Sequence, residues 1–183
     1  KKTGFKLVEI GFKEINPYIS PYERPKIEKT TKGGATLPVE AVNFFDAVQL
    51  YNELVVEEAL NFPCDLIHCH DWITFKAGIR LKELTGKPLV ITVHSTEYDR
   101  TGNIGPWQWI VDVEREGMKK ADKIIAVSNY TKNQIVDRYG INPGKINVVY
   151  NGIDYEKFNG KLEKPVDIHD RVVLFLGRLT VQK

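Results

Sequence analysis

Cysteine is scarce in this sequence. Cys64 and Cys69 are too few for a disulfide framework and suit a reducing cytosol. Charge of one sign is lacking too: 26 Lys and Arg stand against 24 Asp and Glu, a formal net charge of +2. So close a balance gives no electrostatic reason to expect nucleic acid or an anionic membrane as partner. No apolar run approaches the ~20 residues that span a bilayer, and the first residues show no charged-then-apolar leader pattern. The expected location is the cytoplasm. No C-x₂-C or H-x₃-H spacing appears for structural zinc, and no G-x-S-x-G for a serine hydrolase.

What is present fits a globular chain. Hydrophobic residues make up 42% and charged residues 27% of 183, which excludes global disorder and fibrous architectures. The length accommodates one domain, or one domain and a piece of another.

Residues 5–12 are apolar and strand-like. Residues 13–38, with Pro17, Pro21, Pro25, Pro38 and the Lys32-Gly33-Gly34 turn signal, read as a long loop. A helix is expected over 39–60, from Phe44, Val48, Tyr51 and Val55 on one face, with Pro38 at its start. A repeating grammar follows. Strands are expected at 65–70, 88–94, 123–127 and 145–149, with helices between them over 73–85, 107–120 and 128–139. Gly86 closes the first of these helices and Gly140 the last, which Ser128 can cap at its start. Apolar strands alternating with helices indicate an α/β fold: a Rossmann-like parallel sheet with helices on both faces.

Residues 155–170 are polar, with Gly160 and Pro165, and read as a linker. Arg171 to Leu176 starts a fresh strand, expected to open a second α/β domain. The domains expected are therefore 1–154, a linker 155–170, and the start of a second domain at 171–183. The chain opens without Met and stops just after that strand, so it is expected to be an excerpt of a longer protein.

In a parallel sheet, ligands bind beyond the carboxyl ends of the strands. Asp71, His94 and Ser128 are expected along that edge. The Cys64, His68, Cys69, His70, Asp71 cluster invites a metal reading. However, alternate residues of a strand point to opposite faces, so neighbours cannot converge on one ion. The reading preferred is cysteines as core fillers, with His70-Asp71-Trp72 at the active end and no metal. His94, taken alone, is more often a hydrogen-bonded structural histidine than a functional one; as a site residue it would orient a substrate hydroxyl. Trp107, Trp109 and Tyr98 are taken as packing residues rather than a sugar platform. Arg178 and Lys183, just past a strand, read equally well as solvated charges or as a diphosphate clamp.

Several stretches in order carry a resemblance: His70-Asp71-Trp72; Thr92-Val93-His94-Ser95-Thr96-Glu97-Tyr98-Asp99-Arg100; Ala121-Asp122-x-Ile124-x-Ala126-Val127-Ser128; Asn151-Gly152-Ile153-Asp154-x₃-Phe158; and Gly177-Arg178-Leu179-x₂-Gln182-Lys183. Together they resemble retaining GT-B glycosyltransferases, most of all glycogen and starch synthases and related family four enzymes. The likeness covers roughly residues 64–183. It implies transfer of a hexose from a nucleotide diphosphate sugar, ADP- or UDP-glucose, to a glucan or other saccharide acceptor. It implies retention, and neither a cofactor nor an obligatory metal. By the same resemblance His94 contacts the donor sugar, Asp71 lies on the acceptor side, and Arg178 and Lys183 bind the donor diphosphate. The family's glutamate motif and nucleoside pocket would lie beyond Lys183, so these residues alone are expected to be inactive. Alternatives stay open: a hexosyl- or mannosyltransferase acting on a small acceptor, a non-catalytic carbohydrate- or partner-binding domain, and a GT-B-like sugar epimerase.

Overall fold

The structure is a computed structural model that describes residues 27–30, 36–39, 44–159 and 173. The expected strand at 5–12, the Lys32-Gly33-Gly34 turn, Arg178 and Lys183 lie outside these residues, as does the expected second-domain strand apart from Val173.

The long loop expected over 13–38 is corrected in part. Strands β1 (Ile27–Thr30) and β2 (Thr36–Val39) pair antiparallel, with Ile27 opposite Val39 and Thr30 opposite Thr36. Pro38 therefore sits inside β2 and does not start a helix. A two-stranded pair consists of edges, where a missing N–H can be tolerated. Helix α1 begins later, at Phe44, and ends at Ala59.

The main body is a run of parallel units. Strand β3 (Ile67–His70) leads into α2 (Trp72–Thr85), then β4 (Leu89–Val93). A short helix α3 (Glu97–Arg100) and a longer α4 (Gln108–Lys120) precede β5 (Lys123–Ala126). Helix α5 (Asn129–Tyr139) and a 3₁₀ turn at Pro143–Lys145 lead to β6 (Ile146–Val148). A last helical turn, α6 (Tyr155–Phe158), opens the stretch expected as a linker. The strands form one sheet in the order β3-β4-β5-β6, all parallel, as the alternating pattern demands.

Local signals set the element ends. Gly86 and Gly140 take left-handed backbone (φ 67° and 68°) and return their N–H groups to the last turns of α2 and α5. Ser128 caps α5 by accepting from the Thr131 N–H.

One face of the sheet is the core. Ile67, Cys69, Leu89, Ile91, Val93, Ile124, Ala126 and Ile146 are buried there. Each large aliphatic side chain so buried contributes roughly 1.5–3 kcal/mol. Helix α2 approaches closely: a Cβ on Gly78 would collide with Cys69 Sγ and Leu89 Cδ1. The opposite face carries His68, His70, Val90, Thr92, Ile125 and Asn147, the alternate residues of the same strands. Trp107, Trp109 and Tyr98 pack half-buried against the core, in agreement with the packing reading. No helix among the described residues is long and apolar enough to cross a membrane.

Asn52 departs from the simple amphipathic pattern of α1. It is buried in the apolar stripe, and its amide enters the backbone ladder of α2: Nδ2 donates to Ile73 O at 2.8 Å, and Oδ1 accepts from the Ala77 N–H at 2.7 Å. The polar groups are thereby satisfied, and the two helices are fixed in register.

Candidate active site

The carboxyl ends of β3 and β4 bring two of the expected residues together. Register places His70 opposite Thr92, so Asp71, next after His70, and His94, two residues beyond Thr92, meet at the strand ends. The Asp71 N–H continues the ladder to Thr92 O at 2.9 Å, and Asp71 Oδ1 accepts from the His94 backbone N–H at 2.8 Å. Asp71 stands at the head of α2 with φ 58° and ψ 165°, a conformation costly for any residue but glycine. Its side chain makes no cap bond to α2; it ties the end of the neighbouring strand instead. Thr74 Oγ1 bonds back to the carbonyls of His70 and Asp71, at 2.9 and 3.0 Å, and closes the turn.

Three imidazoles stand in a row beside this junction. The His68 and His70 rings lie 4.5 Å apart, and the His70 and His94 rings stack at 5.3 Å with planes 22° apart. His68 Nε2 meets Thr92 Oγ1 at 2.8 Å, and His70 Nδ1 meets His94 Nε2 at 3.0 Å. Burial, then the neighbouring His68 and His94, hold the His70 pKa below its ordinary value, against the pull of Asp71. Cys69 faces away into the core, where burial pushes its thiol pKa up. Cys64 is exposed, which corrects its expected place among the core fillers. Among the described residues no group of three His, Cys, Asp or Glu side chains could hold a metal ion.

A cavity of about 230 Å³ beside the junction is lined by His70, Asp71, Trp72, Ser95 and Arg100, among others. Beneath it lies a buried ionic network that sequence reasoning missed. Arg100 Nε reaches Glu97 Oε2 at 3.2 Å, Nη2 reaches Glu114 Oε1 at 2.5 Å, and Nη1 donates to Ser95 O at 2.9 Å. The Tyr139 hydroxyl and the Glu97 N–H both donate to Glu114 Oε2. Burial works against the charge on Arg100, but Glu114 and Glu97 outweigh it and hold its pKa above the ordinary value. Burial and Glu114 likewise raise the Tyr139 hydroxyl. The network holds the turn after His94 through Ser95 and anchors α3 to α4 and α5. One signal for α3 was legible: Thr96-x-x-Asp99 forms a capping box, with Thr96 Oγ1 accepting from the Asp99 N–H and Asp99 Oδ2 from the Thr96 N–H.

Ser128 stands at the carboxyl end of β5 as expected, with its hydroxyl engaged in capping α5. Asp122, from the Ala121-Asp122 stretch, lies at the other end of the sheet. Its Oδ2 accepts from the Leu89 N–H and its Oδ1 from Lys82 Nζ, both at 2.7 Å, so its observed role is to hold the start of β4.

The four-stranded parallel sheet, with polar groups gathered at its carboxyl edge, defines a Rossmann-like α/β fold. The family model for Glycosyltransferase Family 4 matches residues 34–157, and the chain belongs to that family. It is 33% identical over 131 residues to an uncharacterized glycosyltransferase of Methanocaldococcus jannaschii, covering 65% of this chain and 34% of that protein. Against the alpha-maltose-1-phosphate synthase of Mycolicibacterium smegmatis it is 35% identical, over 64% of this chain and 34% of the relative. A D-inositol 3-phosphate glycosyltransferase of Streptosporangium roseum is 30% identical, over 63% and 29%. The chain thus spans about a third of the length of the curated relatives it matches. Among solved structures, a sucrose-phosphate synthase from Thermosynechococcus elongatus aligns with a TM-score of 0.48 at 17% identity, over 69% of this chain and 64% of that one.

Proposed function

We propose that the protein containing this chain transfers a hexose, glucose above all, from a nucleotide diphosphate sugar to a saccharide acceptor with retention at the anomeric carbon. Residues 1–154 would be the acceptor-side domain, 155–170 the linker and 171–183 the start of the donor-binding domain. The observation that carries the reading is the junction of Asp71 and His94 at adjacent strand ends, in a chain of this family. His94 would orient the donor sugar and Asp71 would line the acceptor side. Arg178 and Lys183 would grip the diphosphate and stabilise the charge that develops on it as the glycosidic bond breaks. Catalysis would rest on positioning and charge stabilisation, with no protein nucleophile.

Two acceptor classes compete. A glucan acceptor follows from the resemblance to glycogen and starch synthases. A small acceptor is supported by the names of the relatives, a maltose-1-phosphate synthase and D-inositol 3-phosphate glycosyltransferases. The test is a donor screen on the full-length protein, with ADP- and UDP-sugars against glucan and against small sugar or polyol phosphates. Product analysis reads both the acceptor and the anomeric configuration. Transfer with retention supports the proposal. Binding of saccharide without transfer from any donor would replace it with the non-catalytic reading.

A further inference from the structure

His70 precedes Asp71 and has no role in the reading above, yet it makes the polar contact to the ring of His94. Its Nδ1 stands 3.0 Å from His94 Nε2, and the two rings are nearly parallel, at 22°. Two ring nitrogens at that separation share one proton, because an imidazole nitrogen either donates or accepts. The backbone of His94 is fixed independently by Asp71 Oδ1. Main chain and ring are therefore held by two successive residues of one strand end.

We propose that His70 is a positioning residue for His94: the shared proton fixes the rotamer and tautomer of the His94 ring and leaves its Nδ1 directed away from the pair, toward a ligand hydroxyl. The proposal rests on the sugar-transfer reading of His94. The tautomer at one nitrogen of a histidine is set by the bond its other nitrogen makes. The pair also limits its own protonation. With both rings charged, N–H would face N–H, so uptake of the second proton opens the contact. The titratable and charged groups that bear on the pair are His68 on β3, Asp71 at the head of α2, and Arg100 on α3, whose charge Asp71 favours. The first two oppose each other at His70.

The test uses the full-length protein as wild type, His70→Asn and His70→Phe. An Asn amide can stand where Nδ1 stands, whereas Phe keeps the ring and removes the polar contact. Imidazole ¹⁵N spectra are followed from about pH 5 to about pH 8, where imidazoles titrate. At the upper end of this range one tautomer of the wild-type His94 ring should dominate. In His70→Phe, His94 should lose its fixed tautomer; in His70→Asn the tautomer should persist. With the donor and acceptor found by the screen, His70→Phe should lower kcat about five- to tenfold with little change in donor KM, and should move the acid limb of the pH profile. His70→Asn should restore most of the rate. A His94 tautomer identical in wild type and His70→Phe overturns the proposal, as does wild-type kcat with an unmoved acid limb in His70→Phe. If the wild type transfers no sugar, the sugar-transfer reading fails on its own, and the spectra still decide whether His70 fixes His94.

Discussion

Asp71 Oδ1 accepts a hydrogen bond from the backbone N–H of His94 at 2.8 Å while Asp71 itself holds φ at 58°. One residue thus joins two strand ends at the cost of its own backbone strain, and strain of this kind gathers at functional sites.

Substitutions at Asp71 should separate the strain from the bond. Asp71→Ala keeps the left-handed backbone and loses the acceptor. Asp71→Gly also loses the acceptor but relieves the strain, and Asp71→Asn keeps Oδ1. Urea unfolding should rank Asn as the mildest and Ala as the worst, with Ala below Gly by about 1 kcal/mol or more. A Gly variant less stable than the Ala variant would show that the backbone there is not strained.

Arg100 is the shared cation of Glu97 and Glu114, and its side chain is 8% exposed. Arg100→Ala would leave two buried carboxylates without their counter-ion, with an expected loss of about 3–5 kcal/mol in thermal or urea unfolding. Arg100→Lys should fall between, because an ammonium cannot serve three acceptors with the geometry of a planar fork. A loss within experimental error for Arg100→Ala would mean that the network is solvated.

Acid stability should depend on Asp122. The hydrogen bond from Lys82, then the Leu89 N–H, hold its pKa below the ordinary carboxylate value. A depressed folded pKa contributes stability that is present above the unfolded value of about 3.9 and is lost as pH falls through the folded one. The site is partly exposed, so the effect should stay below about 1 kcal/mol. Asp122→Asn should flatten the unfolding free energy against pH in that acid window; an unchanged slope would assign the acid sensitivity to other groups.

Under the proposed function, Arg178→Ala or Lys183→Ala in the full-length protein should lower kcat by about 10²–10³ and weaken binding of the free nucleotide diphosphate. His94→Ala should lower turnover and leave that binding intact. Unchanged turnover and affinity in the two cation variants would return Arg178 and Lys183 to ordinary surface charges.

The sequence by itself determined the alternation of strand and helix, the parallel sheet, the cap at Ser128 and the closures at Gly86 and Gly140. Each is a local property: an apolar run, a hydroxyl before a helix, a residue without Cβ where φ turns positive. It also placed Asp71 and His94 at strand ends, because a strand end is where apolar periodicity stops. Tertiary structure decided what those side chains do. That Asp71 would bond to the His94 backbone, that His70 would face the His94 ring, and that Asn52 would enter the ladder of α2 depend on strand register and helix packing between residues more than twenty positions apart. The Thr92-to-Arg100 and Ala121-to-Ser128 stretches read as signs of function, yet Arg100 and Asp122 prove to be bonded into the scaffold. A charged residue in a sequence carries no mark of whether it will be buried against a partner, because that partner arrives only when distant segments fold together.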